Sequence, residues 1–113
     1  MSDPVSAPTS SPPDGPPRAP TVEIEYCPRC RWLARAAWLA QELLTTFERE
    51  LGAVALVPSP TPGAFEVRLA GETIFSRRAA GRHADATELK RLVRDRVAPG
   101  RDLGHADRAA GRP

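Results

Sequence analysis

Hydrophobic side chains change their spacing at Cys27-Pro28-Arg29-Cys30, and this switch narrows the possible folds more than any other part of the 113-residue sequence. Before the motif, residues 21–26 alternate apolar and polar side chains, which predicts a half-buried strand. After it, apolar residues recur at spacings of three and four, which predicts a helix. The only two cysteines of the chain therefore lie in a strand-to-helix turn.

This position favours redox chemistry. The first N–H groups of a helix and its positive end stabilise a nearby thiolate, and Arg29 and Arg31 add positive charge on both sides of Cys30. Such surroundings lower the pKa of a cysteine, and the thiolate is the form that attacks disulfides. We expect Cys27 to carry the more exposed sulfur and to attack a partner disulfide, and Cys30 to resolve the mixed disulfide.

The remaining patterns predict one small α/β domain. A helix is expected from Cys30 to Leu51, where Gly52 would end it. The apolar run at residues 54–57 predicts a strand that is covered on both faces, and residues 65–69 and 73–76 read as an antiparallel hairpin. A last helix would begin at Asp85, which can cap it, with Glu88 completing a capping box.

The predicted order is therefore β-α-β-β-β-α. Because a helical crossover separates the first two strands, they should be parallel, with a right-handed connection. Addition of the hairpin gives a thioredoxin-like fold, with a four-stranded mixed sheet and two helices, which spans residues 21–98.

The two ends of the chain differ from this domain. Residues 1–20 contain seven prolines and almost no large apolar residue, which predicts a disordered arm, and residues 99–113 read as a polar tail. The net charge of +2 does not favour nucleic acid as a partner, and the basic cluster of Arg77, Arg78 and Arg82 is expected to be solvated. No secretory signal or membrane span is recognised, so we expect a cytoplasmic protein. In that reducing compartment, a close cysteine pair is typically catalytic or metal-binding.

Other functions compete for the same residues. A soft-metal carrier for Cu(I) or zinc could use the cysteine pair, but copper chaperones need a final strand that this sequence lacks, and neither His83 nor His105 has the spacing of a zinc finger. An inert thiol pair or a static disulfide is the structural alternative. Trp32 and Trp38 are expected in the core or at its rim, with partner docking as the alternative. No metal or other cofactor is predicted, and His83 is expected to be a solvated loop residue.

A glutaredoxin-like reading is also open, because Cys-Pro-Arg-Cys is similar to the glutaredoxin motif. Gly81, Arg82 and Asp85, at the start of the last helix, are candidate contacts for glutathione. Partners would then be protein thiols or glutathione, and the oligomeric state is not predicted.

Four segments resemble the selenoprotein W-like family, also called the Rdx family: residues 22–30, 38–44, 63–72 and 74–78. The resemblance implies a thioredoxin-like, redox-active protein of the cysteine-containing bacterial type, because selenium in selenocysteine-containing relatives occupies the position of Cys30. That position makes Cys30 an alternative attacking residue. Where relatives carry an aromatic-proline pair after the loop glycine, this chain has Gly81-Arg82-His83-Ala84.

Overall fold

The computed structural model describes residues 19–104. The elements, in chain order, are β1 (Thr21–Tyr26), α1 (Leu33–Thr46), β2 (Ala53–Pro58), β3 (Phe65–Leu69), β4 (Glu72–Ser76), α2 (Arg77–Ala80) and α3 (Ala86–Val97). One mixed sheet has the strand order β2-β1-β3-β4, in which β1 and β2 are parallel and the other neighbours are antiparallel. The predicted thioredoxin-like α/β fold is confirmed, with the four-residue helix α2 as an addition to the two expected helices. Residues 1–18 of the predicted arm and residues 105–113 of the tail, with His105, lie outside the described residues.

One face of the sheet forms the core. Alternate residues of β1 and β3 pack against α1 and α3, and the fully buried side chains include Ile24, Leu39, Phe47, Phe65 and Leu89. Burial of each such side chain contributes about 1.5–3 kcal/mol to folding. The acidic residues of β1 lie on the other face, where Arg68 of β3 pairs with Glu23 at 3.1 Å and with Glu25 at 3.0 Å. The alternation that predicted β1 is thereby confirmed.

Helix α1 is shorter at both ends than the predicted helix. Arg31 adopts a left-handed conformation (φ 62°) and its N–H donates to the Pro28 carbonyl at 3.1 Å, so the motif forms a separate turn and the helix begins at Leu33. At the other end Phe47 leaves the helical conformation, and its carbonyl accepts from the N–H groups of Glu50 and Leu51. Two of the apolar residues that recur at helical spacing, Leu33 and Leu44, are exposed and do not belong to the buried face of α1.

Gly52 allows two segments of the chain to approach closely, and it does not end a helix as predicted. Its N–H donates to the Pro20 carbonyl at 2.8 Å, where the chain before β2 crosses the chain before β1. A Cβ atom on Gly52 would lie 2.6 Å from the Ala19 carbonyl oxygen, which is too close for two non-bonded atoms. The glycine therefore permits the close approach of these two segments.

Strand β2 is not covered on both faces, contrary to the prediction. It pairs only with β1 at the edge of the sheet, and its residues are half-buried or exposed. An uninterrupted apolar run can belong to an edge strand when one side is half-covered by a helix, as α1 covers β2 here.

Three segments meet at one end of the strands β1, β3 and β4. The end of β1 lies opposite the start of β3 through the pair Tyr26 and Phe65, and the end of β4 lies opposite the start of β3 through Ser76 and Glu66. The cysteine turn, the Pro62-Gly63 loop and helix α2 therefore converge there. None of the helices among residues 19–104 is long and apolar enough to cross a bilayer.

Candidate thiol site

The two cysteine sulfurs are in direct contact. Cys27 follows the last residue of β1, and Cys30 lies in the turn that Arg31 closes. The Cys30 thiol donates to Cys27 Sγ at a distance of 2.7 Å, and both cysteines are free. Small side-chain rotations are therefore enough to form a disulfide between them.

Exposure of the two sulfurs is the reverse of the prediction. Cys27 is 1% exposed, whereas Cys30 is only half-buried. The expectation that Cys27 is the more exposed cysteine is wrong, because Cys27 continues the path of β1 into the protein while Cys30 lies in the turn outside the helix. Exposure to solvent therefore favours Cys30 as the cysteine that a partner disulfide can reach.

The pKa values of the two thiols favour Cys27, whereas exposure favours Cys30. The hydrogen bond from Cys30 lowers the pKa of Cys27, and the backbone N–H groups of Gly63, Cys30 and Arg29 lower it further, while burial opposes them. The same contact with Cys27, together with burial, raises the pKa of Cys30. Of the two thiols, Cys27 is therefore the one that ionises at the lower pH.

The charges around the thiols come partly from residues other than the predicted ones. The side chains of Arg29 and Arg31 are exposed, and Arg29 acts on Cys27 through its backbone N–H. The guanidinium whose charge lowers the pKa of Cys30 is that of Arg77, at the start of α2. Gly63, which precedes β3, supplies an N–H group to both sulfurs.

An aromatic cluster adjoins the turn. The His83 ring lies 4.6 Å from the Trp32 ring and 5.4 Å from the Phe65 ring, edge to face in both cases, and the Arg77 guanidinium lies 4.9 Å from the centre of the Trp32 ring. His83 is half-buried, so the prediction of a solvated loop residue is wrong. Burial lowers the pKa of His83, and the charges of Arg35 and Arg77 lower it further.

The three candidate glutathione contacts hold the start of α3. Gly81 ends α2 in a left-handed conformation (φ 75°). Arg82 forms two hydrogen bonds with the Glu88 carboxylate, at 2.7 and 2.8 Å, and the Asp85 carboxylate accepts from the Glu88 N–H at 2.7 Å. Asp85 is the predicted cap of the helix, while the Glu88 side chain pairs with Arg82.

The described residues offer no metal centre beyond the cysteine pair. No group of three or more His, Cys, Asp or Glu side chains within residues 19–104 is arranged to hold a metal ion. Two thiolates would be the whole protein ligand set within this part of the chain.

The chain was compared with models of known protein families. The family model described as "Rdx family" matches residues 21–95, which include both cysteines, the Gly63 loop and Arg77. The chain belongs to the Rdx family. This confirms the resemblance found in the sequence, and membership of the Rdx family indicates a redox-type function.

Solved structures agree with the assignment to the Rdx family. A crystal structure of a Bordetella parapertussis protein is 47% identical, with a TM-score of 0.67, and the match covers 69% of this chain and 98% of that one. A selenoprotein W-related protein from Vibrio cholerae is 44% identical, with a TM-score of 0.68 and coverage of 71% and 99%. No curated protein matches the chain.

Sequence reasoning did not identify Gly63 and Arg77 as site residues. Both carry a signal that could have found them, because Gly63 lies two residues before β3 and Arg77 directly follows β4. In the sheet, β3 lies between β1 and β4, and this order brings these two ends of the hairpin to the end of β1, and therefore to the cysteines.

Proposed function

We propose that the protein performs reversible thiol–disulfide exchange with Cys27 and Cys30, and that its substrates are protein disulfides or glutathione disulfide. The observation that supports this most directly is the 2.7 Å contact between the two free sulfurs. A pair at this distance can alternate between dithiol and disulfide with little movement of the backbone. As part of the same proposal, the protein acts in the reducing cytoplasm, where close cysteine pairs are typically catalytic.

Access and charge assign different tasks to the two cysteines. Cys30 is the reachable sulfur, and Cys27 is the better thiolate. In the proposed step, Cys30 Sγ attacks one sulfur of the partner disulfide while its proton passes to Cys27. The new S–S bond forms as the partner's S–S bond breaks, and one partner thiolate leaves. This order replaces the sequence-based expectation, which depended on an exposed Cys27.

Resolution returns the proton. The departing thiolate takes the proton from Cys27, whose thiolate then attacks Cys30 in the mixed disulfide and releases the second partner sulfur as a thiolate, which takes a proton from solvent. The partner disulfide is reduced by two electrons, and the cysteine pair is oxidised by two. A thiol reductant, such as glutathione, must then restore the dithiol.

The first experiment is a redox titration of the purified, metal-free protein in glutathione buffers, followed by thiol alkylation and intact-mass measurement. We expect both cysteines to be protected from alkylation together and reversibly, at a potential within or above the cytosolic range of about −220 to −320 mV. Thiols that remain reduced throughout, or a protein that is purified with tightly held metal, would contradict exchange and favour the metal-carrier alternative.

The order of attack is tested with single cysteine variants. With oxidised glutathione or a disulfide peptide, the Cys27→Ser variant should accumulate a mixed disulfide on Cys30, whereas the Cys30→Ser variant should react slowly because its remaining sulfur is buried. Accumulation in Cys30→Ser alone would return the attacking role to Cys27. Failure of both variants to form an adduct with oxidised glutathione would remove glutathione from the proposal.

A further inference from the structure

Of the twelve arginines within residues 19–104, five pair with a carboxylate and seven do not, and two of those seven, Arg49 and Arg91, lie in other segments, after α1 and in α3. Away from the thiol site, Arg68, Arg82, Arg94, Arg96 and Arg101 each pair with a carboxylate. At the thiol site, five arginines have no ion pair with any carboxylate within residues 19–104: Arg29, Arg31, Arg35, Arg77 and Arg78. We call these five residues the arginine collar.

Contacts and chain position connect each residue of the collar with the cysteines. Arg29 and Arg31 belong to the cysteine turn itself. The Arg78 guanidinium donates to the Pro62 carbonyl at 3.2 Å, beside the Gly63 N–H that reaches both sulfurs. The charges of Arg77 and Arg35 both act on His83, and Arg77 also acts on Cys30. The collar therefore comes from three segments of the chain: the cysteine turn, the first residues of α1, and α2.

Arg77 is the inner member of the collar. It is half-buried, its guanidinium lies 4.9 Å from the centre of the Trp32 ring, and its Nε atom is buried without a hydrogen-bond partner in the described part of the chain. Buried donors are usually hydrogen-bonded, so the unpaired Nε of Arg77 is unusual. The other four members are exposed.

Resting on the proposed function, we propose that the arginine collar binds acidic side chains that flank the disulfide of a protein partner. The four exposed arginines lie on separate segments, which matches an extended partner surface. Leu33, 50% exposed beside the turn, adds an apolar contact to the same surface. Five of the seven arginines without an ion pair in residues 19–104 therefore lie on the segments that carry or adjoin the cysteine turn.

A surface with one sign of charge acts mainly on the rate of encounter. Complementary charge raises association rates by about ten- to a thousandfold at low ionic strength, and salt removes the gain. The inference therefore predicts a substrate preference that depends on charge and salt, in addition to the exchange reaction itself.

The test uses three disulfide peptides of one sequence whose flanking positions carry Glu, Gln or Lys. We expect the reduced full-length protein to react fastest with the Glu peptide and slowest with the Lys peptide, with at least a tenfold range at low salt that narrows as salt is added. The matched variants are Arg35→Glu and Arg49→Glu, which alter the net charge equally at exposed positions near opposite ends of α1. Arg35→Glu should slow the Glu peptide severalfold more than it slows the Gln peptide, and Arg49→Glu should change neither rate.

The outcomes separate the two proposals. Exchange at equal rates with all three peptides, or equal effects of Arg35→Glu and Arg49→Glu, would overturn the collar while exchange itself stands. No reaction with any peptide or with glutathione disulfide would overturn the proposed function. Glutathione disulfide reacting faster than the Glu peptide would replace the acidic protein by a small anionic disulfide. Stronger inhibition by a single-stranded oligonucleotide than by an acidic peptide without cysteine would assign the collar to nucleic acid.

Discussion

At the scale of single residues, the cysteine with the lowered pKa is not the cysteine that a partner can reach. Cys27 is buried and carries the lowered pKa, because Cys30 and three backbone N–H groups donate to its sulfur. Cys30 is half-buried, and its pKa is raised by the same contact. The hydrogen bond between the sulfurs is therefore the interaction that sets both values, and its removal should be visible in the remaining thiol.

The pKa of Cys27 should depend on a donor at position 30. In Cys30→Ser the hydroxyl can still donate, so the pKa of Cys27 should stay below the ordinary thiol value of 9.0. In Cys30→Ala this donor is lost, and the pKa should be higher. Thiolate absorbance in the ultraviolet, measured against pH, compares the two variants, and identical titrations would contradict the role of the contact.

The sign of the linked stability change follows from the lowered pKa. In Cys30→Ser, the folded protein loses the Cys27 proton at a lower pH than the unfolded chain does. The resulting stabilisation is complete above the pKa of the unfolded chain, and is lost as the pH falls through the pKa of the folded protein. Denaturant unfolding across that pH range should show this gain, which should be smaller in Cys30→Ala.

At the scale of elements, each helix start is fixed by one residue. Arg31, in its left-handed conformation, keeps the cysteine turn out of α1, at a local cost of about 1–2 kcal/mol for a residue other than glycine. Asp85 fixes the start of α3 by accepting from the Glu88 N–H, and Arg82 holds the Glu88 side chain. Asp85 therefore has a structural task that is independent of any ligand.

Loss of this cap should destabilise the fold. Asp85→Ala should lower the free energy of unfolding by about 1 kcal/mol, while Asp85→Asn, which keeps an acceptor oxygen, should remain close to the parent protein. Denaturant titration of the three proteins measures the difference. An unchanged stability of Asp85→Ala, combined with slower exchange with glutathione disulfide, would instead favour Asp85 as a ligand contact.

At the scale of the whole molecule, the core of the described chain lies within residues 22–103. Its first buried side chain is Val22, and Leu103 packs against it after α3 has ended. Arg101 also contacts this region, since its guanidinium lies 5.4 Å from the centre of the Phe47 ring and pairs with Glu50 at 3.1 Å. The folded unit therefore includes the first residues of what the sequence suggested was a tail.

A chain shortened to residues 19–104 should fold as the full chain does. It keeps the Pro20 carbonyl that binds Gly52, and it keeps Leu103. We expect an unchanged melting temperature and an unchanged rate of exchange with a neutral disulfide peptide. A chain shortened further to residues 21–98 should be less stable, and equal stability of the two chains would contradict the packing of Leu103 and Arg101.

The parts of the fold that sequence could predict are those with a repeating pattern. Alternation located β1 and β3, and the cap signal located α3, because burial of one face imposes a period on the residues. Arg31 was not recognisable, since a left-handed arginine has no distinguishing neighbour in sequence and its conformation is set by the surrounding packing. The exposure of the cysteines, the donor at Gly63 and the burial of His83 depend on contacts between segments that are distant in the chain.

The turn that precedes α1 has a consequence for the lifetime of the protein. A disulfide between Cys27 and Cys30 would enclose only two residues, and short loops restrict an unfolded chain much less than long ones do. Because the turn lies outside the helix, its closure leaves the hydrogen bonds of α1 in place. The oxidised and reduced forms should therefore resist proteases to a similar degree, so that a cell could cycle the thiols repeatedly without marking either form for degradation.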